Sequence, residues 1–413
     1  MEYGLLGEHL AHSFSPEIHA LIGDYDYKLI ELSRDKVEEF LKERDFRAIN
    51  VTIPYKQTVI PFLDEISESA KAIGAVNTII NKDGRLCGYN TDFDGLKALV
   101  LSLVPSLEEL KVLILGAGGT SRTAQAVAKS LGAREIVVAS RRETSGVVSY
   151  ENVKTIHKDA DVIINTTPCG MYPDIHTQAM SLDGFDNLKA VADVVYNPLR
   201  TELVMKAKDR GIPAKGGLYM LTMQGIKAAE HFFSKETEKS KAAEIFNTII
   251  NRRENIVLTG MPSSGKTTVG NILSKLTGRP LYDVDALIVK RAGCEISKIF
   301  EKHGEEYFRD LESAVIAEEV APLTGAIIAT GGGAVLRAEN VKNLKKNGRI
   351  VFLDRDLSLL TPTSDRPTAS DYEAMKKRFE QRYDIYNATC DIRVNGSLDA
   401  QKVATTVNEE FLK

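Results

Sequence analysis

Along the whole chain, short apolar runs alternate with stretches whose apolar positions recur at helical spacing, the layering expected of an α/β protein. Three of these runs lead into glycine. Lys111-Val112-Leu113-Ile114-Leu115 has the pattern of a buried strand and enters Gly116-Ala117-Gly118-Gly119, after which 123–131 reads as helix and 135–139 as a second strand. Ile256-Val257-Leu258 leads to Gly260 and then to a helical pattern at 269–273, and the run 326–329 enters Thr330-Gly331-Gly332-Gly333. Further strands are expected at 161–167 and 190–196, and no repeat of about 20 to 50 residues is present.

Nearer the start, Ser13-Phe14-Ser15-Pro16 precedes a helical pattern at 17–22, with Ser15 and Pro16 suited to the N-cap and first helical positions. Asn50-Val51-Thr52-Ile53-Pro54-Tyr55-Lys56 is an extended run stopped by a proline, which removes a ladder donor and delivers Lys56 to a loop. Asn77 follows Gly74-Ala75-Val76, and Asn90-Thr91-Asp92 precedes a helix at 93–103 that Asp92 is placed to cap.

Composition narrows the class. The 413 residues leave room for two or three domains of about 150 residues each. A net charge of -4 from 53 basic and 57 acidic residues gives no footprint for nucleic acid or a membrane surface, so small-molecule partners are expected. Cys87, Cys169, Cys294 and Cys390 stand far apart, without the spacing of a zinc site or a disulfide framework. The N-terminus lacks signal-peptide features and no apolar run approaches about 18 residues, so a cytoplasmic protein is expected.

Gly260-Met261-Pro262-Ser263-Ser264-Gly265-Lys266-Thr267, between a strand and a helix, reads as a phosphate loop. Gly260, Ser263, Ser264, Gly265 and Thr268 shape a turn whose N–H groups face phosphates, Lys266 reaches the β and γ oxygens of ATP, and Thr267 holds Mg²⁺. The strand, turn and helix around Gly116, Gly118 and Gly119 form a dinucleotide-binding unit. Where an NAD site would carry an acid, Ser140-Arg141-Arg142 offers cations for a 2′-phosphate, which predicts NADP(H) held by Arg141 with help from Ser140. Asp283 and Asp285, at i and i+2 of an expected strand, reach one magnesium and substrate region. Arg309 and Glu312 stand three apart on a helix, a spacing that also suits a plain surface ion pair.

Taken singly, Lys56 as a solvated lysine, Asp92 and Asp285 as caps, and 330–333 as a loose turn all remain open. Together, Ser13-Phe14-Ser15-Pro16, 50–56, Gly74-Ala75-Val76-Asn77-Thr78 and Asn90-Thr91-Asp92 resemble the successive motifs of shikimate dehydrogenases, over residues 1 to about 250. The resemblance implies that Ser13, Ser15, Thr52, Asn77 and Asp92 surround the substrate's carboxylate and hydroxyls. It also implies that Lys56 and Asp92 are the catalytic pair, and that Tyr196 and Gln224 complete the cleft from the cofactor side. Residues 165–171 resemble the nicotinamide-side loop of that family.

Residues 255–413 resemble shikimate kinase through the phosphate loop, Asp283, Asp285, Arg309, Gly331, Gly332 and Arg382. The resemblance implies that Arg309, Arg382, Gly331 and Gly332 hold the substrate's carboxylate and ring, with Arg366 also among the substrate-binding residues. Asp285 would hold the reacting hydroxyl with Lys266 as the other catalytic group, and Asp283 with Thr267 would support Mg²⁺. Arg366 is retained from the family's lid, but Thr368-Ala369-Ser370 replaces its usual leucines, and Pro262, Ser263 and Ser264 stand where the phosphate loop is commonly richer in glycine.

The expectation is a bifunctional enzyme that reduces 3-dehydroshikimate with NADPH and phosphorylates the resulting shikimate with ATP. The rivals are a non-catalytic metabolite sensor, which should have lost catalytic residues, and an NAD-dependent quinate/shikimate dehydrogenase fused to a kinase. Expected domains are 1–103 with helices from about 220–250 packed back on it, 104–250 for NADP, and 255–413 for the kinase, joined by about four unstructured residues at 251–254. Oligomeric state is left open.

Overall fold

The computed structural model describes residues 2–10, 13–360 and 372–413. It divides into two compact units, Met1–Ile249 and Ile250–Lys413. No helix among the described residues is long and apolar enough to cross a membrane.

The first unit holds two sheets. One is built from β1 (Tyr3–Gly7), β2 (Tyr27–Glu31), β3 (Ala48–Val51), β4 (Glu65–Ile66), β5 (Thr78–Lys82) and β6 (Arg85–Tyr89), in the order β2-β1-β3-β5-β6-β4. It is mixed, because β1 is parallel to β2 and β3 while β5 runs against β3 and β6. Leu6, Leu41, Ile49, Val51, Tyr55 and Ile79 are part of its core.

The second sheet contains β7 (Lys111–Leu115), β8 (Glu135–Ser140), β9 (Val148–Ser149), β10 (Val162–Asn165), β11 (Ala190–Asp193) and β12 (Ala214–Lys215). Its order is β12-β11-β10-β7-β8-β9 with every pair parallel. Alternate residues of β7 serve two cores: Val112 and Ile114 join one cluster, Leu113 and Leu115 the other. A strand covered on both faces must be apolar throughout, which is why 111–115 shows no alternation. From β7 the chain passes through the helix Gly119–Ser130 to β8, then returns to place β10 on the other side of β7. That reversal opens a crevice at the carboxyl ends of β7 and β10, the usual place for a dinucleotide. The helix Leu218–Phe233 packs on the helices Thr91–Leu101 and Ser15–Ile22. Gly95 permits the approach, since a side chain there would begin 2.6 Å from the Met220 carbonyl oxygen.

In the second unit, β13 (Asn255–Thr259), β14 (Leu281–Asp283), β15 (Ile327–Ala329), β16 (Gly348–Asp354) and β17 (Ile392–Asn395) form a parallel sheet in the order β14-β15-β13-β16-β17. The fully buried β13 is central, so the loop leaving its carboxyl end opens between β15 and β16.

Local expectations differ from the structure at four points. Ser15 is the first residue of the helix Ser15–Ile22, not its cap; the N-cap position is Phe14. The helix at Thr91–Leu101 is capped by Asn90, whose Oδ1 accepts the Phe93 N–H at 3.3 Å, which releases Asp92 from that task. β14 stops at Asp283, which caps the helix Val284–Ala292, so Asp285 lies in a helical first turn and not two residues along a strand. Residues 251–253 are the last turn of the helix Lys239–Arg253. There the Arg279 guanidinium donates to the Asn251 and Glu254 carbonyls, satisfying acceptors that a helix end leaves open.

Candidate active sites

In the first unit a cleft of about 650 Å³ is lined by Ser13, Ser15, Thr52, Lys56, Asn77, Asp92, Tyr196 and Gln224, every residue expected there from sequence. Thr52 is pinned by its N–H to the Leu6 carbonyl at 2.9 Å, and the buried Tyr55 donates its hydroxyl to the Leu32 carbonyl at 2.6 Å. These bonds fix the turn that carries Lys56. The Lys56 ammonium then meets Asp92 Oδ2 at 2.5 Å, both side chains being mostly buried. Such a pair can deliver a proton to oxygen at the cleft while the carboxylate orients the donor.

Asn77 is held with a defined polarity. Its Oδ1 accepts the Thr91 N–H at 2.7 Å, and the Thr78 and Thr91 hydroxyls stand 3.1 and 3.2 Å from the same oxygen. The amide nitrogen therefore remains for a ligand acceptor. The Gln224 Oε1 is buried and has no hydrogen-bond partner among the described residues, as suits a position completed by a ligand donor. Tyr196 lies edge-on to Phe14 with ring centroids 5.3 Å apart, and burial raises its phenol pKa above the ordinary value.

Behind this face lies a network that the sequence did not disclose. Asn50 accepts the Tyr27 hydroxyl at 2.7 Å and donates to Thr78 Oγ1 at 3.0 Å and to the Asn77 carbonyl at 3.3 Å. His19 stacks on Tyr27 at 3.8 Å, and burial, opposed by a hydrogen bond with Asn50, lowers its pKa to about 3. Asn50 stands in the motif that includes Thr52, which was its only trace in the sequence.

On the cofactor side, side chains added at Gly118 or Gly119 would meet no described residue within 4 Å, so the turn beyond β7 is open for a pyrophosphate to approach the backbone. At the end of β8, Ser140 Oγ donates to the Arg142 carbonyl at 2.6 Å and stands 3.2 Å from the Arg142 nitrogen. This turn leaves Arg141 and Arg142 exposed, with no ion pair among the described residues. The open glycine turn and the two cations fit NADP(H). Across β10 and β11, the fully buried Asp193 accepts from Asn165 Nδ2 at 2.9 Å, the Val195 N–H at 3.0 Å and the Thr201 hydroxyl at 2.6 Å. Burial raises its pKa to about 6 against those bonds, and the contacts fix the loops that carry Met171 and Tyr196.

In the second unit, Gly260, Ser263 and Gly265 have φ of 144°, 63° and 91°, and these left-handed turns curl the loop into a cradle. The Lys266 ammonium donates to the Gly260 and Met261 carbonyls at 2.9 and 2.8 Å and lies 3.4 Å from Ser264 Oγ. The Thr267 hydroxyl donates to Asp283 Oδ2 at 2.9 Å, while Thr268 is exposed in the first turn of the helix Lys266–Thr277. One hydroxyl, one carboxylate and a cradle for phosphates fit Mg²⁺: Thr267 and Asp283 would hold it, with water and nucleotide oxygens completing its ligands. No cluster of three His, Cys, Asp or Glu residues placed to hold a metal occurs among the described residues.

Beside the cradle, a cavity of about 40 Å³ is lined by Asp285, Arg309, Glu312, Gly331, Gly332, Gly333 and Arg382. The Arg309–Glu312 pair is not a surface ion pair: its Nη1–Oε2 distance is 2.6 Å and Glu312 is completely buried. Burial raises the Glu312 pKa, with Arg309 opposing the shift. Arg382 Nη1 donates to the Gly332 carbonyl at 3.1 Å, as does the Tyr386 hydroxyl. Asp285 Oδ1 lies 2.9 Å from the point where a side chain on Gly331 would begin. Arg366 and the rest of the expected lid lie outside the described residues.

The first unit thus has the architecture of a nucleotide-dependent oxidoreductase with its own substrate cleft, and the second that of a P-loop phosphotransferase. A family model described as shikimate dehydrogenase substrate binding domain matches residues 5–79, and one described as shikimate kinase matches 262–412. A shikimate dehydrogenase (NADP(+)) of Clostridium perfringens is 39% identical over 265 residues, covering 60% of this chain and 97% of the relative. Among solved structures, a chorismate mutase/shikimate 5-dehydrogenase fusion protein from Clostridium acetobutylicum is 33% identical with a TM-score of 0.57, covering 60% of this chain and 96% of that one. Shikimate 5-dehydrogenase from Thermus thermophilus, in complex with NADP(H) and shikimate, is 29% identical with a TM-score of 0.54, covering 60% and 99%. The chain belongs to the shikimate dehydrogenase family and carries a shikimate kinase domain after it.

Proposed function

We infer that the chain performs two reactions: NADPH-dependent reduction of 3-dehydroshikimate to shikimate, and ATP-dependent phosphorylation of shikimate to shikimate 3-phosphate. The observation that carries this is the presence of two built sites, the Lys56–Asp92 pair in an open cleft and the Arg309, Arg382 and Asp285 pocket beside a phosphate loop.

In the first reaction the cofactor, when bound, supplies a hydride to the ketone carbon. Lys56 gives its proton to the oxygen as negative charge develops there and is reprotonated from solvent. Asp92 holds the ammonium in place and accepts from a neighbouring substrate hydroxyl. Ser13, Ser15, Thr52, Asn77, Tyr196 and Gln224 bind the remaining oxygens. Arg141, with Ser140, reads the 2′-phosphate. In the second reaction ATP with Mg²⁺ supplies the phosphoryl group. Asp285 orients the attacking hydroxyl and takes its proton, Lys266 moves from its loop carbonyls to the phosphates, and Arg309 and Arg382 hold the carboxylate. Glu312 keeps the Arg309 fork aligned.

A non-catalytic sensor would have lost one of these groups, yet Lys56, Asp92, Lys266, Thr267 and Asp285 all stand. The cations after β8 support NADP(H) over NAD, and the cytoplasm, where NADPH and ATP are both at hand, is the compartment this reading implies. Purified protein should oxidise NADPH with 3-dehydroshikimate and, separately, consume ATP with shikimate. Silence in both assays would favour the sensor.

A further inference from the structure

Arg355 follows β16, the strand that flanks β13 and its phosphate loop. Ligands of open parallel sheets bind outside the carboxyl ends of the strands, which is where this side chain begins. Its Nη1 lies 3.9 Å from the point at which a side chain on Gly265 would start, and no other described residue comes within 4 Å of that point. On its other side the same nitrogen reaches the Gly396 carbonyl at 3.5 Å, a contact at the limit of a hydrogen bond.

The charge of this arginine is not used elsewhere among the described residues. Its two acidic neighbours in sequence are engaged: Asp354 Oδ2 accepts from Arg393 Nε and Nη2 at 3.0 and 2.6 Å, and Asp356 Oδ1 accepts from the Ser358 N–H and hydroxyl at 2.8 and 2.6 Å. The Arg355 Nε is buried without a hydrogen-bond partner among the described residues. A half-buried guanidinium with spare donors and no carboxylate, set against the loop whose N–H groups converge on phosphates, is arranged for an anion.

We propose that Arg355 is a nucleotide contact of the kinase site, its guanidinium binding the phosphate chain of ATP and ADP where that chain leaves the cradle beside Gly265. The proposal rests on the phosphate-loop reading and adds a cation to it from another strand. Lys266 comes from within the loop and is assigned to the transferred group, whereas Arg355 acts on affinity. It should affect KM for ATP far more than kcat.

The test is nucleotide binding by the full chain, measured by calorimetry with ADP and, as a probe lacking a base, inorganic pyrophosphate. Arg355→Met should raise Kd for both by about ten- to a hundredfold, the loss of a charge-assisted contact. Affinity for shikimate and NADPH oxidation with 3-dehydroshikimate should stay unchanged in the same sample, which shows that the variant is folded. Arg355→Lys, which keeps the charge without the fork, should recover part of the loss. Unchanged ADP affinity would overturn the proposal, and so would weakened ADP binding with unchanged pyrophosphate binding, because the contact would then be to the nucleoside. If wild-type protein bound neither probe, the phosphate-loop reading itself would fail.

Discussion

The two sites proposed here for one small carboxylated ring are built from different groups. In the dehydrogenase cleft, at about 650 Å³, the polar side chains set among apolar walls are mostly neutral hydroxyls and amides, and its cation, Lys56, is paired with Asp92. The kinase cavity, at about 40 Å³, is small and bounded by two guanidinium groups and two carboxylates. The chemistry explains the contrast. Hydride transfer to a ketone needs one proton donor and space for a flat cofactor ring, so neutral donors suffice for the remaining oxygens. Phosphoryl transfer brings a polyanion against an anionic substrate, and fixed positive charge must offset the repulsion.

The contrast should break most severely at Lys56 and Asp285. Lys56→Ala should lower the rate of NADPH oxidation by about 10² to 10⁴ and leave ATP consumption with shikimate unchanged, and Asp285→Asn should do the reverse. Steady-state assays of both activities on each variant check this. A variant that impaired both would mean that the reactions do not run in separate sites.

Buried carboxylates provide the next comparison. Glu312 lies against Arg309, whereas Asp193 has only neutral donors, and burial raises its pKa from 3.8 to about 6. Its folded-state pKa is above the unfolded one, so its contribution to stability is present below about pH 4 and is lost as pH rises through about 6. Asp193→Asn has no such proton to lose. Between pH 4 and 7 the variant should therefore gain on wild type by up to about 3 kcal/mol, in urea unfolding followed through the dehydrogenase unit. A difference that is flat with pH would show that Asp193 is ionised throughout.

Binding residues should rank by charge. Arg382→Met should raise KM for shikimate in the kinase reaction, and Arg141→Ala should raise KM for NADPH but not for NADH, each by about ten- to a hundredfold. Ser15→Ala should raise KM for 3-dehydroshikimate by only about two- to tenfold, the effect of one neutral hydrogen bond. If Ser15 cost as much as Arg382, the first cleft would depend on a single donor in place of many weak ones.

These comparisons also separate what sequence reveals from what it hides. The phosphate loop and the glycine turn after β7 were legible because each is a contiguous strand–turn–helix unit. Lys56 and Asp92 are 36 residues apart and meet only through tertiary structure, so the family's motif order, and not spacing, brought them together. Asp193 and the Asn50, His19 and Tyr27 network were missed because their bonds cross between elements and leave no local pattern. Leu281-Tyr282-Asp283-Val284-Asp285 reads as extended, which puts Asp285 on a strand, but the Asp283 carboxylate accepts the Asp285 and Ala286 N–H groups and starts a helix two residues sooner. At 251–253 the polar residues suggested a loop, while the Arg279 guanidinium, from a distant part of the sequence, closes a helix there.

If each half works by itself, shikimate should pass from one to the other through bulk water. Mixing Lys56→Ala protein with Asp285→Asn protein tests this, since every shikimate must then leave one molecule and enter another. With 3-dehydroshikimate, NADPH and ATP, the lag before shikimate 3-phosphate appears should equal that of wild type at matched concentrations of active sites. A wild-type lag several times shorter, persisting when a separate shikimate kinase competes for the intermediate, would show direct transfer between the two sites.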